Sequence, residues 1–165
     1  MNIGLEVDKK SLANVLSKME FAGFAASRYF REAMEEANML VEANVEVRTP
    51  KGYSGHLAAS ISSQLISDVI GVVTGITSST LNYAAAVEKG SRPHFPPIEA
   101  LTGKKESLDL WAQQKGLNPF AVAKGIAKRG TKARNMFKDG LAASKLNVYA
   151  IFVKKAQAYI ASLKG

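Results

Sequence analysis

A chain of 165 residues, 47% hydrophobic and 22% charged, has the composition of one globular domain that buries its core without a metal or disulfide staple. It holds no cysteine, which removes disulfides, thiolate metal sites and cysteine nucleophiles, and its two histidines, His56 and His94, are too few for a multi-histidine metal centre. The net charge of +8 is lopsided: residues 1–100 carry 9 Lys/Arg against 11 Asp/Glu, and residues 101–165 carry 13 against 3.

That basic C-terminal third suits a polyanionic neighbour, either nucleic acid or an acidic protein surface; a solvated basic face with no specific partner is the alternative. The opening MNIGLEVDKK has no apolar core, and no run approaches ~20 apolar residues, so neither a signal peptide nor a membrane span is expected.

In chain order, Ile3, Leu5 and Val7 alternate with polar residues, which predicts an N-terminal arm or strand over 1–8. Asp8 stands at an N-cap position. Leu12, Val15, Leu16, Met19, Ala22, Ala26, Phe30, Ala33, Ala37 and Leu40 then recur at three- and four-residue steps. That is the stripe of an amphipathic helical region over 9–48, with Gly23 a place to split it and Pro50 its limit. Residues 49–56 are turn-rich. A β-hairpin is expected over 57–78, from two stretches rich in Ile, Val, Ser and Thr joined near Asp68 and Gly71; the Leu-Ala-Ala-Ser at 57–60 suits a helical turn equally well.

A short Ala-rich helix over 82–89 stops at Gly90. Three prolines between Arg92 and Pro97 demand a stiff, extended loop. The rest, 97–165, reads as helical and basic. It begins with a turn or two at 98–101, followed by a helix over 107–115 stopped by Gly116. Another helix opens at Asn118-Pro119 and runs to about Arg129. A last helical region over 136–163 has Gly140 as a place for a kink, with Leu146, Tyr149, Ile151, Phe152, Val153, Ala156, Tyr159, Ile160 and Leu163 as its contacts. The expected fold is α+β, a single domain in which a small antiparallel sheet packs against a long N-terminal helix and several C-terminal helices.

Chemistry is sparse. Residues 125–132 imitate a phosphate loop, but Thr131 precedes Lys132 where that loop needs Lys before Thr, and a helix precedes the glycines where it needs a strand. His56 and His94 lie 38 residues apart in separate loops without metal-ligand spacing, and Ser54 and Ser60 lack the Gly-x-Ser-x-Gly elbow. No enzyme activity, cofactor or metal is expected. The densest basic cluster is Lys124, Lys128, Arg129, Lys132 and Arg134, suited to neutralising phosphates without reading bases.

Three stretches, taken in order, resemble one family. They are Gly55-His-Leu57-Ala-Ala-Ser60-Ile61; Tyr83-Ala-Ala-Ala-Val87-Glu88-Lys-Gly90-Ser91; and Pro96-Pro97-Ile98-Glu99-Ala-Leu101, the last followed by Ala123 to Met136 with its Arg129-Gly130-Thr131. Their order and spacing over about 40–140 are similar to the gene-product-ten-like minor tail, or tail-completion, proteins of long-tailed bacteriophages. Ser54 and Ser91 stand where that family often has Thr, and Arg134-Asn-Met-Phe137 where many members have Pro-Phe-Phe.

The resemblance implies a virion structural protein of the neck, made in the host cytoplasm, that joins head to tail as a homo-oligomeric ring of about six copies. Its neighbours would be the portal or adaptor, the tail tube or tail terminator, and packaged DNA, with no membrane. Candidate assembly contacts are Tyr53, Gly55, His56, Tyr83, Glu88, Gly90, Arg92, His94, Phe95, Pro96 and Pro97, although Gly55, Tyr83, Glu88 and Gly90 serve equally well as residues that fix the fold. Lys124, Lys128, Arg129, Lys132 and Arg134 are the candidates to face DNA. A nucleic-acid-binding accessory protein is the alternative function.

Overall fold

The computed structural model describes residues 9–52, 54–67, 73–96 and 108–163, with side chains from Ser27 onward except Ser67. Its elements are α1 (Lys9–Arg48), α2 (His56–Ala59), β1 (Ile61–Ser67), β2 (Val73–Ser79), α3 (Ala84–Lys89), α4 (Leu108–Gln114), α5 (Pro119–Arg129) and α6 (Met136–Ser162). The fold is α+β, with a two-stranded antiparallel sheet, a long N-terminal helix and several C-terminal helices. The expected arm over 1–8, the turns at 98–101 and the hairpin tip at Asp68 and Gly71 lie outside the described residues, as do Tyr53 and Pro97.

Helix α1 runs 40 residues without the break that Gly23 offered. One interior glycine costs only about 1 kcal/mol, which the packing of so long a helix offsets. The helix ends as Thr49 turns its hydroxyl back onto the Val45 carbonyl at 2.8 Å, just before Pro50. Helix α6 lies antiparallel along α1. Gly140 sits against Val45, Lys155 bonds Glu32 at 3.2 Å, and the Tyr29 and Tyr159 rings are 5.7 Å apart. Ala33, Ala37 and Val45 on α1 are buried, as are Met136, Gly140 and Ser144 on α6, so small residues let the two backbones approach closely. A Cβ at Gly140 would come within 2.6 Å of Val45 Cγ2 and 2.9 Å of its backbone. Gly140 therefore permits a close helix contact, and α6 continues through it unbroken.

The hairpin lies on the same α1, in the register Ile61↔Ser79 to Ser67↔Val73. Asn38 anchors it from α1: its amide donates to the Gln64 carbonyl at 3.0 Å and its Oδ1 accepts from the Thr77 hydroxyl at 3.2 Å. The Ser63 hydroxyl donates to Glu42, and Gly75 lies close against α1, where a Cβ would come 3.1–3.2 Å from the Asn38 and Met34 side chains. The hairpin starts later than residue 57, because 56–59 form the single turn α2. Leu57 and Ala58 are both buried. Consecutive residues on a strand point to opposite faces, so one helical turn satisfies both where a strand end does not. The Ser60 hydroxyl caps that turn on the Leu57 carbonyl at 2.7 Å and meets the Ser79 hydroxyl at 2.7 Å, closing the sheet's open end. Leu57, Ala84 and Met136 form the adjoining core, flanked by Leu81, Val87 and Phe137.

Helix α5 begins where Asn118-Pro119 predicts. The Asn118 side chain accepts from the Phe120 and Ala121 amides at 2.9 and 3.3 Å, with Pro119 at the first helical position. Gly116 closes α4 in a left-handed conformation, with the Leu117 amide on the Ala112 carbonyl at 2.8 Å.

Candidate functional site

The second and third stretches of the sequence signature meet in one clamp. Helices α3 and α5 each end on a glycine followed by a hydroxyl residue, Gly90-Ser91 and Gly130-Thr131. The two ends pair as an antiparallel bridge: the Ser91 amide donates to the Thr131 carbonyl at 3.1 Å, and the Thr131 amide donates to the Ser91 carbonyl at 3.2 Å. The two hydroxyls add a bond of 3.0 Å. Both glycines adopt nearly the same glycine-only backbone, φ 74 and ψ 175 at Gly90, φ 68 and ψ −159 at Gly130. A Cβ at Gly90 would lie 2.5 Å from the Thr131 carbonyl oxygen, and one at Gly130 would overlap the Ser91 carbonyl oxygen.

Glu88, two residues before Gly90, reaches across to the start of α6. Its carboxylate accepts from the Phe137 and Lys138 amides at 2.9 and 3.1 Å, while its carbonyl and that of Val87 take the Asn135 and Arg134 amides. A carboxylate on the free amides of a helix N-terminus is favourable in both hydrogen bonding and dipole. Asn135 is the only described non-glycine residue with positive φ, at 50°, and no side-chain cap comes from it. Glu88 caps α6 from 49 residues away. Glu88 and Gly90 thus hold the fold together, as does Gly55, whose φ of 71 starts α2.

The clamp fixes one end of the proline-rich loop. Its other described end, Pro96, is buried. Between these pins Arg92, Pro93, His94 and Phe95 are exposed, Phe95 by 53%. His94 Nδ1 lies 2.9 Å from the Arg92 carbonyl, which stiffens the loop further. Beside it is an open groove of about 530 Å³, lined by Tyr83, His94, Trp111, Lys132 and Arg134 among others. Two aromatic rings beside two cations suit a carboxylate- or phosphate-bearing segment of a partner. In the sequence Trp111 reads only as an apolar residue of the helix over 107–115, since nothing local ties it to residues 83–94. His56 is exposed at the start of α2, far along the chain from this groove.

All five residues of the basic cluster are exposed, and none makes an ion pair with a described residue. They divide into two groups. Lys124 and Lys128 share the outer side of α5 one turn apart, with Arg129 at its end, while Lys132 and Arg134 line the groove.

Helix α6 differs from its sequence reading. Leu146, Tyr149, Val153 and Ile160, expected as contacts, are exposed by 82, 71, 36 and 52%. They lie at steps of three, four and seven on the side opposite Met136, Gly140 and Ser144. The clue was that apolar residues of α6 are spread round the helix among its lysines instead of forming one stripe, more widely than one neighbour covers.

Elsewhere, Lys155 and then Arg28 hold the Glu32 carboxyl below the usual carboxylate range by hydrogen bonding to it. Among the described residues no three of His, Asp and Glu gather as a metal cluster, and no helix is long and apolar enough to cross a membrane. No protein family, curated protein or solved structure matches this chain.

Proposed function

We propose that this chain is a structural assembly protein of a tailed-bacteriophage neck, a homo-oligomeric ring that joins the portal or adaptor to the tail tube or tail terminator, and that it acts without catalysis. The observation that carries this reading is the loop over 92–95. It is pinned at Ser91 by the clamp and at buried Pro96, and it presents exposed His94 and Phe95. A loop held at both ends loses little entropy on docking, which is what a repeated structural contact requires. The resemblance of residues 55–61, 83–91 and 96–136 to tail-completion proteins gives this contact its setting.

The test is deletion of the coding region from the virus that carries it, with complementation by variants. Deletion should leave heads and tails separate. Phe95→Ser should complement poorly while the purified variant keeps its melting temperature. Infectious, joined particles from the deletion mutant would refute the role.

The five exposed cations, none in an ion pair with a described residue, support a second reading, a nucleic-acid-binding accessory protein. Phosphate contacts of this kind are sequence-independent and salt-sensitive, and they are compatible with a ring whose channel passes packaged DNA.

A further inference from the structure

Along the outer side of α6, Ala142, Leu146, Tyr149, Val153, Ala156 and Ile160 follow one another at alternating steps of four and three residues. At about 100° per residue they fall within an arc of roughly 80°, opposite the buried Met136, Gly140 and Ser144. Leu146, Tyr149, Val153 and Ile160 are all exposed. An apolar repeat of 3.5 residues on a free helix face is the seam of a coiled coil, and its partner is another helix, packed knobs into holes. Leu146, Val153 and Ile160 take the a positions of the heptad, and Ala142, Tyr149 and Ala156 the d positions.

The side-chain sizes say which helix. With a second α6 running the opposite way and a two-fold axis level with Ile151, every a position meets a d position of the other copy. Ile160 then meets Ala142, Leu146 meets Ala156, and Val153 meets Tyr149. Each layer sets a larger side chain against a smaller one, which fills the space evenly. A parallel pair would stack alanine on alanine at 142 and 156 and tyrosine on tyrosine at 149, leaving gaps beside a crowded layer. The flanks agree. One side of the seam carries Ala143, Ala150 and Gln157, the other Lys145, Phe152 and Tyr159. In the antiparallel register Ala150 meets Ala150, Phe152 meets Phe152 and Lys145 comes opposite Tyr159. No two lysines oppose each other, and an ammonium beside a phenol ring attracts it. An acidic helix of another protein would call for cations on both flanks, and the Ala143, Ala150, Gln157 flank has none.

We infer that α6 pairs with α6 of a second copy as a two-stranded antiparallel coiled coil. About a dozen residues per copy line or flank the seam, roughly half the number in a standard interface, so the pair buries about 800 Å² in all and dissociates on dilution. The contact is isologous and closes at two copies. It is therefore separate from the contact that would propagate a ring, and it does not rest on the neck reading.

The experiment measures the mass of the full chain by light scattering over a wide concentration range, beside Leu146→Glu/Val153→Glu. Glutamate is a good helix former and both positions are exposed, so the melting temperature should fall little. Wild type should double in mass as concentration rises, and the variant at the highest concentration should have half the wild-type mass. Direction is read by crosslinking. The chain has no cysteine, so Ala143→Cys and Gln157→Cys, both at exposed positions, each supply one thiol. A short bis-maleimide should link the two variants when mixed, because 143 and 157 oppose each other in the antiparallel register, and should link neither to itself. This pair leaves the seam intact, so it decides the matter even if the glutamate variant fails to fold. A wild type that stays monomeric, as a seam kept for another protein would leave it, overturns the inference. So does a glutamate variant that keeps the full wild-type mass, or cysteine variants that link to themselves and not to each other.

Discussion

Gly90 and Gly130 show how much of the signature is spent on folding. Each precedes a residue whose amide and carbonyl both join a bridge that a side chain on the glycine would obstruct, in a backbone region only glycine enters easily. Gly130→Ala should therefore destabilise by roughly 3–5 kcal/mol, the sum of conformational strain and overlap with the Ser91 carbonyl. Gly116 is the control: its φ is also positive, at 65°, but nothing lies within 4 Å of where a Cβ would go. Gly116→Ala should cost only about 1 kcal/mol. Urea unfolding of both variants separates conformational strain from steric collision. Glu88 is the second test at this scale. Removing its carboxylate leaves the Phe137 and Lys138 amides of α6 uncapped, and Glu88→Ala should lower stability by about 1–2 kcal/mol by the same measurement.

At the scale of elements, α1 and α6 are tied by Glu32 and Lys155 as well as by packing. Because Lys155 and Arg28 lower the Glu32 pKa, the carboxylate stabilises the folded form at neutral pH, and that stabilisation is lost as pH falls through the lowered value. The melting temperature of Glu32→Gln should lie below wild type at pH 7, and the difference should vanish under acid conditions. A difference that persisted at low pH would mean the side chain acts by packing alone.

Local patterns made the elements readable. The three- and four-residue spacing marked α1, Asn118-Pro119 marked the start of α5, and the Ser/Thr/Ile/Val stretches marked the hairpin. Ambiguity survived where two structures share one local pattern, as at 57–60, which folds as helix because Leu57 and Ala58 are both buried. What stayed illegible was long-range. Glu88 meets α6 across 49 residues and Ser91 meets Thr131 across 40, so no spacing rule connects them. The outer face of α6 was read as core for a related reason. Apolar periodicity reports that a partner is needed, without telling whether the partner belongs to the same chain.

For the molecule as a whole, the exposed apolar face and the basic cluster lie on different helices, so the proposed assembly and DNA-binding readings can be tested apart. The exposed apolar residues Leu146, Tyr149, Val153 and Ile160 lie on α6, whereas Lys124, Lys128 and Arg129 lie on α5. Charge reversal at those three positions should therefore leave the mass of the assembly unchanged. It should weaken binding to duplex DNA at every sequence equally, because no base-reading side chains accompany the cluster. If each of the three meets one phosphate, the slope of log affinity against log salt should become shallower by about 2.7. Measured by fluorescence anisotropy across a salt series, an unchanged slope would remove α5 from any DNA-facing channel and leave the basic third as a solvated face. A lost assembly with an unchanged slope would instead make α5 part of the contact between copies, and the acidic side of α1 its natural counterpart.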